Sequence, residues 1–278
     1  MPAVAAIFFI SSATVSFVAS LPHSWHHRGM TVPHLFILTG ASRGMGLSLA
    51  RQLWHGGHTL ITLARGPLEL PAQAGAVHLH WQQDLGQPAA AAQQLLDWLQ
   101  APGRSAYASA TLINNAGVIP PIAPLAGTAW ADIGHALRVG LEAPMLLASA
   151  FLRGTAHWQV PKKVLNISSG LGRRGMASQA TYCAAKAGLD NFSQALALEE
   201  AAKPWGARVC SLAPGVIDTA MQAQLRGADA ADFPDRQRFA QLHAQGLLTC
   251  ADDAAAQVLA WLARPDFGTC VIADVRQP

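Results

Sequence analysis

Tyr182 and Lys186 stand four residues apart in a helical window, so one face of a helix presents both. A phenol ionises near pH 10, too high for efficient proton exchange at neutral pH, and an ammonium one turn away favours the phenolate and lowers that value. Ser168-Ser169 closes a short apolar run upstream. Side chains alternate along a strand, so only one of this pair faces a given side. A hydroxyl there can donate to an oxygen on which negative charge develops. The chain has only two tyrosines, Tyr107 and Tyr182, which makes a tyrosine at this place informative.

A second group of residues suits a nucleotide. Thr39-Gly40-Ala41-Ser42-Arg43-Gly44-Met45-Gly46 lies between an apolar run and a helical window. Glycines there let the chain turn tightly and let a pyrophosphate reach backbone N–H groups at a helix N-terminus. The next strand ends in Ala64-Arg65, where an acid would bond the ribose 2′-hydroxyl of NAD. Ala64 instead leaves room, and Arg65 with Arg43 supplies two guanidinium groups for a 2′-phosphate, so the cofactor indicated is NADP(H). Asp84-Leu85 follows the third strand and suits adenine, with a helix-capping acid as the plainer role for Asp84.

These residues need elements to hold them. Short, near-continuously apolar runs read as buried strands at His34–Thr39, His58–Ala64, Ala76–Gln82, Thr111–Asn114, Lys163–Ser168, Arg208–Ala213 and Thr269–Asp274. Helical windows separate them at Gly44–His55, Pro88–Gln100, Thr128–Leu152, Gln179–Ala202 and Ala251–Ala263. That alternation predicts a doubly wound parallel sheet with its strand C-termini along one ligand-binding edge. Residues 216–248 interrupt the rhythm and would lie above that edge as a substrate lid, or else as a surface excursion.

Together the motifs resemble the short-chain dehydrogenase/reductase family: TGASRGMG at 39–46, NNAG at 114–117, NISS at 166–169, YCAAK at 182–186 and APGVIDT at 213–219. The likeness spans about residues 33–275, and YCAAKAGLDNFSQALALEE, APGVIDTAMQAQLR and FGTCVIADV look closest to the sepiapterin reductase and benzil reductase branch. The resemblance implies a single Rossmann-like domain of about seven strands, order 3-2-1-4-5-6-7, over residues 30–278. It also implies that Ser169, matching the family's second serine, steadies a substrate carbonyl while Tyr182 protonates it, and that Lys186 bonds the nicotinamide ribose. Asn115, Ala116 and Gly117 would border the cofactor, Pro214, Gly215 and Val216 would close over the nicotinamide, and Thr219 would reach its carboxamide. One departure is Gly140, where the family segment ordinarily carries an Asn that holds a relay water. A water or the Gly140 carbonyl would take that place, with activity retained but slowed, and a weakly catalytic NADP(H)-binding sensor stands as the alternative to a carbonyl reductase.

Val118, Ile119, Leu171, Met176, Met221 and Leu225 are the expected pocket walls, and their apolar character favours a hydrophobic or aromatic ketone. Pterin-reducing members of the branch use an acid in the last strand. Ungapped matching puts Ile272 there, with Asp274 two positions on, which leaves vicinal diketones more open. Helices apolar on several faces, Thr128–Leu152 and Gln179–Ala202, suggest a homodimer, as the family commonly forms.

Composition excludes other classes. The 278 residues are 51% hydrophobic and 13% charged, which rules out a disordered chain. A net charge of +3 without a Lys/Arg run gives nucleic acid nothing to grip. Four cysteines without C-x-x-C spacing read as reduced, mostly buried thiols of a cytoplasmic protein, and the scattered histidines predict no metal. Residues 1–29 form a separate extension whose stretch 3–19 carries no charge. An over-extended start is preferred there to a membrane anchor or an export signal, which would make the reductase tethered or exported. The folded part itself has no membrane segment.

Overall fold

The computed structural model describes residues 32–104 and 106–277, so the extension 1–29 lies outside the described residues. Seven strands form one sheet: β1 (His34–Thr39), β2 (His58–Ala64), β3 (Val77–Gln82), β4 (Ser109–Asn114), β5 (Lys162–Ile167), β6 (Arg208–Ala213) and β7 (Ile272–Asp274). Their order is β3-β2-β1-β4-β5-β6-β7, as expected, and each neighbouring pair is parallel.

Alternation along β1 shows how the sheet acquires two cores. Leu35 and Ile37 point into one helical layer, and Phe36 and Leu38 into the other. The first layer is built on α2 (Pro88–Gln100), α4 (Ala143–Gly154) and α5 (Ala180–Ala201), with Leu95, Leu99, Leu147, Phe151 and Leu196 buried. The second rests on α1 (Gly44–Leu53) and α8 (Ala251–Ala263), through Leu49, Leu53, Val258 and Leu262. Each such side chain contributes about 1.5–3 kcal/mol by leaving water.

Three expectations are corrected. β3 is not buried on both faces, since it is an edge strand and its residues are exposed or half-buried. His78 and His80 alternating with Leu79 and Trp81 fit that one-sided setting. The last strand is shorter than 269–274, because the Thr269 N–H turns back onto the Asp266 carbonyl. The helix expected over 128–152 is broken: α3 (Trp130–Leu137) runs into a π-helical turn, Arg138–Glu142, before α4. Pro144 cannot donate the i→i−4 bond to Gly140, and the helix widens around that carbonyl.

After β6 the chain leaves the sheet and forms α6 (Ala220–Arg226) and α7 (Arg236–Ala244). A parallel bridge between Ile217 and Thr249 ties the two stems of this excursion together. Among the described residues no helix is long and apolar enough to cross a membrane.

Candidate active site

The C-terminal ends of β1, β2, β4, β5 and β6 open into a cavity of about 700 Å³. At the end of β1, Gly40 takes φ +70°, a left-handed conformation that glycine adopts freely. Gly46 presses against this turn so closely that a Cβ would sit 2.0 Å from the Gly40 carbonyl oxygen. The motif after β4 braces the same loop. Thr39 Oγ1 accepts from the N–H groups of Asn115 and Ala116 at 2.9 Å each, and Asn115 Nδ2 donates to the Thr39 carbonyl at 2.9 Å.

Helix α1 starts at Gly44 with no side chain capping it and no acid in its first turn. Gly44, Met45 and Gly46 line the cavity, so this helix end can receive an anionic phosphate. Ser42, Arg43, Ala64, Arg65, Asp84 and Leu85 line the same end. Asp84 does not cap α2, whose N-cap is Gln87 with no side-chain bond; its Oδ1 accepts from the Gly86 N–H at 2.9 Å and holds the turn before that helix. A support not foreseen lies behind Arg65. His80 Nε2 is 3.0 Å from the Gly66 carbonyl, and Thr62 Oγ1 lies 2.9 Å from His80 Nδ1 and 2.8 Å from His78 Nε2. With Nε2–H donating to Gly66, His80 Nδ1 accepts from the Thr62 hydroxyl, which in turn accepts from His78. The spacing of His78 and His80 shows only a failed metal pair; their real contacts depend on β2 lying beside β3.

At the other end Ser169 ends the β5 run, and Tyr182 and Lys186 project from the first turns of α5 into the cavity. The Ser169 hydroxyl hydrogen-bonds the Tyr182 phenol and accepts from the Leu171 N–H at 3.2 Å. Ser168 Oγ is buried with no partner among the described residues. Lys186 Nζ donates to the Ile167 carbonyl at 2.8 Å and lies 5.8 Å from the Tyr182 ring centre. Burial pushes the Lys186 ammonium down to about 8, and the Asp190 carboxylate one turn on pulls it up. Asp190 is itself held by the Ser211 hydroxyl at 2.6 Å.

The electrostatic expectation for Tyr182 is corrected here. Burial raises its pKa, the Ser169 bond opposes that rise, and Lys186 is not among the causes. With an ammonium committed to a backbone carbonyl, desolvation of the phenolate prevails. Tyr182 is therefore a neutral phenol holding its proton.

Asn115, Ala116, Gly117, Pro214, Gly215, Val216 and Thr219 all line the cavity, as do the six expected apolar wall residues. The excursion covers this end: Leu225, Phe233 and Phe239 pack on Met176, Leu171 and Ile119, with the two Phe rings stacked at 5.7 Å. Ser178, at φ +59°, donates from its hydroxyl to the Asp232 carbonyl and ties the excursion to the loop before α5. Arg174, Gln179, Arg238 and Arg276 are wall residues that the sequence reading missed. The Asp274 carboxylate forks onto Arg276 at 2.8 and 2.6 Å, which holds it below the usual carboxylate range. Of the cysteines only Cys210 is buried, its thiol pushed up to about 12 by that burial; Cys250 and Cys270 are exposed, against expectation. Among the described residues no group of three or more His, Cys, Asp or Glu could hold a metal ion.

Comparison with known proteins gives four findings. The family model described as short chain dehydrogenase matches residues 34–230. A benzil reductase ((S)-benzoin forming) of Bacillus cereus is 32% identical over 235 residues, covering 83% of this chain and 94% of that protein. The sepiapterin reductase of Rattus norvegicus is 31% identical over 245 residues, covering 83% and 92%. In fold the chain is similar to the crystal structure of a putative 2-deoxy-d-gluconate 3-dehydrogenase from Agrobacterium tumefaciens with bound NADP. That likeness has a TM-score of 0.69 at 24% identity and covers 90% of this chain and 97% of the other.

Proposed function

This chain belongs to the short chain dehydrogenase family of oxidoreductases, and from that premise we propose that it is an NADPH-dependent reductase of hydrophobic ketones and vicinal diketones. One observation carries the reading: Ser169, Tyr182 and Lys186 line the same cavity as the glycine loop.

The walls fit the cofactor. The uncapped α1 N-terminus suits the pyrophosphate, Arg43 and Arg65 suit a 2′-phosphate, and no acid stands at the end of β2 to repel it. Ala64, Asp84 and Leu85 line the cavity where they would border the adenosine half, and Gly117, Lys186, Pro214, Gly215, Val216 and Thr219 would border the nicotinamide half. When bound, the dinucleotide would supply hydride.

The chain's own residues do the remaining work. Ser169 donates to the substrate oxygen and orients it. Tyr182 gives that oxygen its proton as negative charge develops there. Lys186, with Nζ close to Gly117 and bonded to the Ile167 carbonyl, would meet the ribose hydroxyls of the bound cofactor. Met176, Met221 and Leu225 keep water from the carbonyl.

The substrate class rests on those apolar walls and on Asp274, which is committed to Arg276 rather than open to a pterin ring. A second subunit would cover the face of α4 and α5 that leaves Met145 and Leu198 exposed. Residues 30–278 would then act as one reductase domain, with the segment 216–248 as its lid. Following NADPH absorbance with benzil, other diketones and sepiapterin tests the function. Benzil consumption is the expected result, and sepiapterin turnover above benzil turnover would overturn the substrate reading.

A further inference from the structure

Five of the fifteen arginines of the chain line one cavity, together with Lys186, and among the described residues the only acidic wall residue is Asp84. In a protein this poor in charge, that concentration calls for anions. A 2′-phosphorylated dinucleotide accounts for part of it. Arg43 and Arg65 lie at the adenosine end, and Lys186 lies beside Gly117 and Tyr182. Arg276 is neutralised by Asp274. Arg174 and Arg238 are left over. Neither has a hydrogen bond or ion pair from its side chain among the described residues, whereas Arg173, Arg226, Arg264 and Arg276 each have an acidic partner.

The two surplus guanidinium groups come from different walls of the substrate end. Arg174 belongs to the loop after β5, five residues past Ser169 and two before the buried Met176. Arg238 lies on α7 of the excursion, next to Phe239, which packs over Met176 and Leu225. Both are exposed at the rim of the cavity, with the apolar cluster beneath them. Such a rim draws anions toward the concavity, and a guanidinium fork matches an oxyanion in shape. A wholly neutral diketone would use the apolar cluster and leave both arginines idle.

We propose that the natural substrate of this site is an anionic ketone, with an apolar body around its reducible carbonyl and a carboxylate or phosphate group reaching Arg174 and Arg238. This rests on the carbonyl-reductase reading above. It assigns Arg174 and Arg238 as specificity-determining residues, one on the body and one on the covering segment.

The test compares kcat/KM for benzil, benzil-4-carboxylate and the phosphate ester of 4-hydroxybenzil, with NADPH and the full chain at low salt. One or both charged probes exceed benzil by about five- to tenfold, and the advantage shrinks as salt rises. The better of the two identifies the oxyanion. Arg174→Gln and Arg238→Gln each cut the charged-to-neutral ratio by about fivefold, and Arg174→Lys and Arg238→Lys restore most of it. Each ratio is taken within one preparation, so partial loss of folded protein cancels. Turnover of benzil with no advantage for either charged probe, or ratios unmoved in both Gln variants, overturns the inference and leaves the reductase reading intact. No NADPH consumption with any of the three probes overturns both.

Discussion

Replacing Gly46 by Ala tests the geometry on which cofactor binding depends. The added Cβ would lie 2.0 Å from the Gly40 carbonyl oxygen and 2.5 Å from Asn115 Nδ2. Ordinary contacts are near 3.5 Å, so the turn and α1 must separate by about 1 Å or more. The turn has little freedom to yield. Gly40 N–H is bonded to the Leu63 carbonyl at 2.7 Å, and Asn115 Nδ2 donates to the Thr39 and Gly40 carbonyls at 2.9 and 3.3 Å. Overpacking costs about 1–3 kcal/mol, and loss of one or two of these bonds adds about 1–2 kcal/mol. For a chain of this size the sum lowers Tm by about 10 °C. NADPH affinity should fall by about a hundredfold, because the N–H groups of α1 no longer converge on a phosphate. Thermal unfolding by circular dichroism and fluorescence titration with NADPH measure the two effects. A variant that melts within about 3 °C of the wild type and binds NADPH unchanged would refute the account of this loop.

If the Arg65 guanidinium meets only a 2′-phosphate, Arg65→Ala raises KM for NADPH about tenfold and leaves KM for NADH within about twofold; equal effects on both would contradict that role. Gly140→Asn brings a Cβ to 3.1 Å from Ala185 Cβ, so Gly140→Ala is its steric control. If a missing relay group slows turnover, Asn raises kcat by about two- to fivefold over Ala, and equal rates refute the relay. Burial lowers the pKa of His34, His58 and His78. The unfolded chain takes up protons below about pH 6.5 where the folded chain resists, so their stability contribution is complete above that pH and is lost as pH falls. Tm should drop by about a few degrees between pH 7.5 and 5.5, and a flat or rising Tm would contradict this.

Motifs whose geometry is local were readable in the sequence. Glycines 40, 44 and 46, the Asn115 turn, Ser169, Tyr182 and Lys186 sit at strand ends or on one helical face, and their spacing alone brings them to the same edge of a parallel sheet. The break at Gly140 was partly legible, since glycine signals a tolerated irregularity, but its π geometry follows from Pro144 four residues on. Whatever depends on long-range neighbours was hidden. The raised pKa of Tyr182 comes from burial, which spacing does not encode. Arg174 and Arg238 look like ordinary surface arginines until the excursion is folded over the cavity. The edge position of β3 was implied by the strand order that the family resemblance carries, although its apolar run on its own reads as buried.

Proton donation by Tyr182 is the central claim, and Tyr182→Phe removes the hydroxyl while keeping the ring. Rapid mixing of that variant with NADPH and benzil, with NADPH affinity measured alongside, is the most direct test. The account predicts near-normal NADPH binding and a rate of NADPH oxidation lower by about a thousandfold or more. Oxidation at more than about a tenth of the wild-type rate would contradict it.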